Sequence, residues 1–434
     1  MPKSVVILGG GESGIWAARL AQINGDHPFV SDNGRISTTN KSFLDQYAIL
    51  YEEEGHTLSK LLMADIIVKS PGIPQDIPVI IKLRKAGMPI ISEIEYAGRY
   101  SSSNIIGITG SNGKTTTSRL IHHILRENGV DVGLAGNIGL SFSEYLCRFE
   151  NEWVVLELSS FQLEDVRQFK PKISVFLNLT ADHMDRYDHN MDIYFRAKWN
   201  ITSKQDESDI FIYNCDDARL CNAVLARNIS PVLKPIGLRE WSFSEFYDNN
   251  DNHWEYHQLP LSGRHNAYNM MAALAVAESL GLERSRSIVA MQNFVNDPHR
   301  LELVKNEGGV RWVNDSKATN VDAVYFAIEA MDGPVIWIVG GIDKGNDYNT
   351  LLPVMKSKVK TIVAMGSSND RILDFFRPLG YEVRDTRSMS EAVAVCKALA
   401  INGDIVLLSP ACASFDLFKN YEDRGEQFKI FALK

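Results

Sequence analysis

No stretch of this sequence approaches the ~20 consecutive apolar residues that a membrane-spanning helix needs. Cysteine is scarce. The five present, Cys147, Cys215, Cys221, Cys396 and Cys412, form no CxxC pair and no even-numbered framework. They read as separate thiols, buried or half-buried, in a reducing cytosol. A cationic surplus is also missing: 45 Lys and Arg face 54 Asp and Glu, a net charge of -9. That balance argues against broad binding of nucleic acid or anionic membrane, while permitting a local cationic pocket for an anionic substrate. The opening residues Met1 to Gly9 hold only the short apolar run Val5 to Leu8, which reads as a β-strand and not as a signal peptide. A cytoplasmic location is expected. No short-period repeat is evident.

What is present is ordinary for a soluble globular chain: 45% hydrophobic and 23% charged residues. At 434 residues the chain exceeds a single core, so several domains are expected. Strands alternating with helices imply parallel sheets with crossover helices. In the first block, Val5 to Leu8 is followed by glycines, a helix from Ile15, and strands at Asp65 to Lys69 and Pro89 to Ser92. Polar Arg99 to Asn104 reads as a linker. In the second, strands are expected at Ile105 to Thr109, Trp153 to Leu158, Ile173 to Asn178 and Asp209 to Tyr213. Its helices are Lys114 to Asn128 and Asn266 to Leu280, and Tyr247 to His253 reads as an exposed hairpin tip. The pattern restarts near Asn296, with strands at Val335 to Val339, Thr361 to Met365 and Asp404 to Leu408. The expected fold is α/β in three domains. These are a Rossmann-like domain over 1–98, a central P-loop ATPase-like domain with a mostly parallel sheet over 99–296, and a C-terminal Rossmann-like α/β domain over 297–434.

Two glycine loops follow strands and open helices. Gly9-x-Gly11-x-x-Gly14, with Asp32 ending the next strand candidate, has the form of the dinucleotide fingerprint. The same geometry suits NAD, any other nucleotide diphosphate, or a purely structural turn. The second loop, Gly107-Ile-Thr-Gly-Ser-Asn-Gly-Lys-Thr115, departs from a strict Walker A because Ile108 stands where the first glycine belongs. Gly110-Ser111-Asn112-Gly113-Lys114-Thr115 is intact. Backbone N–H groups there can cradle phosphates, Lys114 can reach the β and γ oxygens, and Thr115 can hold Mg²⁺. This loop is expected to bind ATP.

Glu157 closes the strand from Trp153, where an interior charge is costly unless a cation is near. Asp182-His-Met-Asp185 follows the strand ending at Asn178. On spacing alone His183 reads as a surface or capping histidine before a ligand, and Lys198 as a helix-surface lysine.

Taken together, the motifs resemble the muramyl-peptide (Mur) ligase family. They are Gly110 to Thr116, Gly136-Asn-Ile-Gly139, Glu157-Leu-Ser-Ser160, Asp182-His-Met-Asp-Arg-Tyr187 and Arg196-Ala-Lys198. Then come Gly263-Arg-His-Asn-Ala-Tyr-Asn269, His299-Arg300, Asn314-Asp-Ser-Lys-Ala-Thr-Asn320 and Gly340-Gly-Ile-Asp-Lys344. Ser70-Pro-Gly-Ile-Pro74, Leu158-Ser-Ser-Phe-Gln-Leu163 and the run from Ser409 to Gly425 are similar to the members that add D-glutamate to UDP-N-acetylmuramoyl-L-alanine. The Asp-Asn-Pro-Arg signature of the diaminopimelate- or lysine-adding members is absent. Folylpolyglutamate synthases resemble the second and third blocks but lack the first.

The resemblance implies roles that spacing does not. Thr115, Glu157, His183 and Lys198 become Mg²⁺ ligands for two ions, with Lys198 carbamylated, and Lys114, Lys198, His183 and Glu157 form the catalytic set. The first loop would take UDP rather than NAD, through Gly11, Glu12, Ser13, Asp32, Ser70 and Gly72. Asn137, Ser159 and Gln162 would complete the contacts with the UDP-linked substrate, Asn137 at its muramoyl part. ATP would meet Gly110 to Thr116 with Asn266, Asn269, Arg300 and Asp315. D-glutamate would meet Lys317, Thr319, Lys344, Ser414 and Tyr421. Three positions depart from the family: Ser111 where threonine is common, Glu12 where an apolar residue is, and Tyr421 in place of phenylalanine.

The implied reaction is attack of the L-alanyl carboxylate on the γ-phosphate, giving an acyl phosphate and ADP. The D-glutamate amine then displaces phosphate to leave an amide. ATP contacts in the second block and D-glutamate contacts in the third imply that closure of the third domain completes the site. A monomer is expected. Another Mur-family amino-acid ligase, an NAD-dependent oxidoreductase using the first loop, and a nucleotide-binding switch without turnover are the alternatives.

Overall fold

Short runs of β-branched and aliphatic residues build three separate sheets in this computed structural model, which describes residues 2–227, 229–237, 261, 263–343 and 345–434. The hairpin tip expected at Tyr247 to His253 lies outside the described residues, as does Lys344. The first sheet contains β1 (Ser4–Leu8), β2 (His27–Ser31), β3 (Leu50–Glu52), β4 (Ile66–Lys69) and β5 (Ile90–Ser92). Its order is β3-β2-β1-β4-β5, and every pairing is parallel. The second contains β6 (Asn104–Thr109), β7 (Val132–Gly136), β8 (Trp153–Glu157), β9 (Ile173–Phe176), β10 (Ile210–Asn214) and β11 (Val232–Ile236). Its order is β11-β10-β9-β6-β8-β7, again all parallel. The third contains β12 (Glu302–Glu307), β13 (Val310–Asn314), β14 (Val335–Val339), β15 (Val359–Met365), β16 (Val383–Thr386) and β17 (Ile405–Leu408). Its order is β12-β13-β17-β14-β15-β16, and the β12–β13 pair is antiparallel. The fold is therefore α/β with two parallel sheets and one mixed sheet.

Central strands of a sheet covered on both faces should read as continuous apolar runs. Ile7 and Val5 face one way and Val6 and Leu8 the other, and both pairs are buried. The third sheet divides likewise, with Val335, Trp337 and Val339 in one core and Ile336 and Ile338 in another. Two compact units result. The first comprises the described residues up to 237 with Tyr268–Phe294, and the second comprises residues 261–267 with Val295–Lys434. Within the first unit, one apolar cluster runs from Val5 and Ile15 through Ile91 and Phe142 to Val154 and Ile201, so the first two sheets share a core.

The strand order places the candidate loops. In the first sheet the loops after β1 and β4 emerge side by side at the point where the order reverses, where doubly wound sheets bind ligands. In the second, β6 lies between β8 and β9, which juxtaposes the segments beginning at Gly110, Leu158 and Leu177. The first helix spans Glu12–Ile23, three residues ahead of the expected start, because Gly11 in extended backbone caps it. The helix expected from Asn266 is Arg264–Ser279.

Candidate active site

Gly110 and Gly113 carry the loop from β6 into the helix Lys114–Glu127. Their φ angles are +156° and +83°, and a Cβ on Gly113 would lie 2.4 Å from Asn269 Oδ1. Glycine is required by both the dihedral and the close approach. The Ser111 hydroxyl donates to the Thr180 carbonyl at 2.8 Å and lies 3.1 Å from the Tyr194 hydroxyl. The Asn112 N–H donates to Asn178 Oδ1 at 2.8 Å. Serine at position 111 therefore fits its surroundings.

Two ammonium groups converge on this loop. Lys114 Nζ donates to the carbonyls of Gly110 and Ser111, each at 2.8 Å, and Lys198 Nζ donates to the same Gly110 carbonyl at 2.8 Å. Lys198 is 1% exposed, which overturns the helix-surface reading of that lysine. It sits on the helix Met191–Trp199, with its Nζ over the Tyr194 ring at 4.8 Å. Burial, then repulsion by Lys114, drive its pKa well below the usual lysine range, against the pull of Asp182 and Glu157. Lys114 is thus the cation of the pair, placed on the glycine loop where a polyanion would bind.

Glu157, at the end of β8, is 2% exposed. Its Oε1 accepts from Asn137 Nδ2 at 2.9 Å, while Oε2 is buried with no partner. An unpaired buried carboxylate oxygen beside a phosphate-type loop is the donor a hard divalent cation takes. The remaining donors fit such an ion less well as they stand. Among the described residues no three His, Cys, Asp or Glu side chains gather as a metal cluster. His183 is half-exposed on a backbone with φ of +54°. Its ring lies against Phe161 at 4.9 Å, and its Nε2 lies 3.5 Å from Asp182 Oδ2. As an ammonium, Lys198 opposes a cation. A carboxylate carried on Lys198 would add an anionic oxygen near Glu157, whose charge acts on Lys198.

The first-sheet loops form a second locus in the same unit. Asp32 accepts from the Gly10 N–H at 2.6 Å and from the Gly34 N–H at 2.7 Å, so its carboxylate closes the glycine loop. A Cβ on Gly14 would meet the Gly9 carbonyl oxygen at 1.9 Å, whereas Gly11 and Gly72 have open space there. The Ser70 hydroxyl is buried beside Gly9 without a partner. Glu12 is exposed and Ser13 half-buried. Ser159 and Gln162 make a capping box on the helix Ser160–Leu163, so both side chains hold that turn.

The second unit holds Asp315, Lys317, Thr319, Ser414 and Tyr421, while Asn269, Thr115 and Thr116 belong to the first. Asp315 Oδ2 accepts from the Ser409 hydroxyl at 2.9 Å and Oδ1 from the Leu301 N–H at 3.2 Å. Burial raises its carboxyl to about 7, with those two bonds and Arg300 pulling the other way. Lys317 Nζ lies 5.1 Å over the Tyr421 ring, a face that phenylalanine would equally present. Ser414 is buried in the loop after β17, and Thr319 is exposed. Arg424, fully buried, donates to the carbonyls of Ser316 and Cys412 at 2.8 and 3.0 Å and so ties the two loops together. Asn266 and Asn269 share one helix. Thr115 and Thr116 are buried in the first turn after the loop.

Sequence reasoning missed several groups at these loci. Asn178 and Thr180 brace the phosphate-type loop, and Tyr194 lies under Lys198. The spacing of Tyr194 and Lys198, i and i+4 on one helix, was the available signal. All five cysteines are free thiols. Among the described residues no helix is long and apolar enough to cross a membrane.

Residues 108–277 match the Mur ligase middle domain, 299–412 the Mur ligase glutamate ligase domain, and 5–79 the MurD N-terminal domain. The chain is 44% identical over 439 residues to a UDP-N-acetylmuramoylalanine–D-glutamate ligase of Christiangramia forsetii, covering 99% of each. It is also 44% identical over 439 residues to one of Bacteroides fragilis, with the same coverage. In fold it is similar to the MurF ligase of Thermotoga maritima in complex with ADP, at a TM-score of 0.61. That match has 16% identity and covers 93% of this chain and 94% of that one. The chain belongs to the Mur ligase family, in the branch of the UDP-N-acetylmuramoylalanine–D-glutamate ligases.

Proposed function

We propose that this protein joins D-glutamate to UDP-N-acetylmuramoyl-L-alanine at the expense of ATP, forming ADP and phosphate in the synthesis of peptidoglycan precursors. The observation that carries the chemistry is the convergence of Lys114 and Lys198 on the Gly110 carbonyl, inside a glycine loop and beside the half-satisfied Glu157. The full-length 44% identity to named D-glutamate ligases supports the choice of substrates.

An amide forms in water only if the carboxylate is first activated, and here the L-alanyl carboxylate would take the γ-phosphoryl group. Two anions must meet. At 4 Å and an effective dielectric near 20 each unit-charge pair repels by ~4 kcal/mol. Lys114 offsets that repulsion, and loop N–H groups between Gly110 and Thr116 hold the phosphates in line. Mg²⁺ bound through Thr115, Glu157, His183 and a Lys198 carbamate would add neutralising charge at the phosphates when present. Asn137 orients Glu157 through its 2.9 Å bond and would contact the muramoyl part as well.

Gly11, Glu12, Ser13, Asp32, Ser70, Gly72, Ser159 and Gln162 would hold the UDP-linked substrate. Asn266, Asn269, Arg300 and Asp315 would contact ATP, and Lys317, Thr319, Ser414 and Tyr421 D-glutamate. Lys344, proposed on the same side, lies outside the described residues. The proposed division is 1–98, 99–296 and 297–434, acting as a monomer in the cytoplasm. ADP release should require UDP-N-acetylmuramoyl-L-alanine and D-glutamate together. Turnover with L-lysine or meso-diaminopimelate but not D-glutamate would overturn the reading.

A further inference from the structure

Arg186 makes contacts that nothing in the reaction above uses. It follows His183 by three residues, and its N–H donates to the His183 carbonyl at 3.0 Å, closing the turn that His183 heads. Its guanidinium crosses to the loop after β4 in the first sheet. Nη2 donates to the Ile73 carbonyl at 2.9 Å and lies 3.4 Å from that of Pro71, and Nη1 lies 3.5 Å from that of Gly72. The same group forks onto Glu164, with Nη2 to Oε2 at 2.9 Å and Nε to Oε1 at 3.4 Å. It also covers the Phe161 ring at 4.8 Å, and that ring meets the His183 ring at 4.9 Å. The Arg186 side chain is only 12% exposed.

The network beneath is dense. Lys69, 1% exposed at the end of β4, donates to the Ile73 carbonyl at 3.0 Å and pairs with Asp165 at 3.2 Å and Glu164 at 3.7 Å. Gln75 donates to Glu164 at 2.6 Å and to Asp165 at 2.7 Å, and Arg84 meets Asp165 at 2.8 Å. Glu164 and Asp165 directly follow the turn capped by Ser159 and Gln162. Two segments proposed to touch substrate, at Ser70 to Pro74 and Ser159 to Gln162, and the turn carrying the proposed metal ligand His183 are thus cross-tied by charged groups from two sheets. Phe161, His183 and Arg186 face one cavity of about 680 Å³ in this unit.

We propose that Arg186 is a positioning residue for the ligation, holding the Ser70–Pro74 loop in register with the turn that carries His183. Three consecutive carbonyls are a target for a planar fork, and a lysine at the same place keeps the charge but loses that geometry. Stability alone would not require the contacts to fall on the nucleotide-sugar loop. This inference rests on the proposed ligase reading, with UDP-N-acetylmuramoyl-L-alanine as the substrate that senses the register.

The test uses the full chain and two variants, Arg186→Lys and Glu164→Gln. Steady-state KM values are measured for all three substrates, and Kd for UDP-N-acetylmuramoyl-L-alanine by calorimetry without turnover. In each variant KM and Kd for the UDP-linked substrate should rise about tenfold, with KM for ATP and D-glutamate within about twofold of wild type. The double variant should be no worse than the poorer single one, because both break one network. Should Arg186→Lys fail to fold, the calorimetric Kd of Glu164→Gln alone decides. Unchanged Kd in a folded variant, or an equal rise for all three substrates, overturns the inference while leaving the ligase reading intact. A wild-type protein that does not bind the UDP-linked substrate overturns both.

Discussion

Two ammonium groups on one carbonyl oxygen repel each other, and at the Gly110 carbonyl full burial further disfavours the charged form of Lys198. A neutral amine attacks CO₂ to form a carbamate and release a proton, so the environment that disfavours the ammonium presents the form of Lys198 that can react. Labelled bicarbonate should give a lysine-carbamate carbon signal at mildly alkaline pH that is lost in Lys198→Ala, and an unchanged spectrum would count against the modification. Asp315 is shifted the other way, from 3.8 to about 7. The folded state then binds the extra proton between those values. Its contribution to stability is fully present below the unfolded value and lost as pH rises through the folded one, each tenfold difference in proton affinity being worth about 1.4 kcal/mol. The thermal midpoint should therefore fall more steeply between about pH 5 and pH 7 in wild type than in Asp315→Asn. Parallel curves would show that Asp315 ionises normally. Neither environment could be read from sequence. Lys198 meets a loop 88 positions away, and composition alone puts a helical lysine in water.

Elements were legible where burial is two-sided. The runs Val5 to Leu8, Ile105 to Thr109 and Val335 to Val339 stand in sheet interiors and read directly as strands. Those that escaped notice include β3, β7, β11, β12 and β16, all sheet edges. Edge strands such as Leu50–Glu52 and Val232–Ile236 keep much of their surface in water, so no apolar run marks them. The glycine spacing of the first loop was legible for a steric reason. With a Cβ on Gly14 sitting 1.9 Å from the Gly9 oxygen, Gly14→Ala must push the helix Glu12–Ile23 away from β1. KM for UDP-N-acetylmuramoyl-L-alanine should rise about tenfold or more while KM for ATP holds, since the two loops belong to different sheets. A variant with both values at wild-type levels would remove the first loop from substrate binding.

Across the whole chain, the glycine loops after β1 and β6, Glu157 at the end of β8, the Asp182 segment after β9 and Asn314 at the end of β13 lie at the carboxyl ends of sheet strands, the edge where α/β folds bind ligands. That placement is why a strand-and-loop reading could name Glu157 and the glycine loops before any geometry was known, whereas Asp315 came only from the family resemblance. A strand-and-loop reading could not name Arg186 or Tyr194, whose roles arise from packing between segments.

At the centre of the proposed chemistry, the γ-phosphate goes to a substrate carboxylate. UDP-N-acetylmuramoyl-L-alanine labelled with ¹⁸O in both alanyl carboxylate oxygens, turned over with ATP and D-glutamate, tests this most directly. One labelled oxygen should appear in each inorganic phosphate released, because the bond broken by the amine lies between the acyl carbon and the bridging oxygen. Phosphate carrying no label would mean that the carboxylate was never phosphorylated, and would contradict that route.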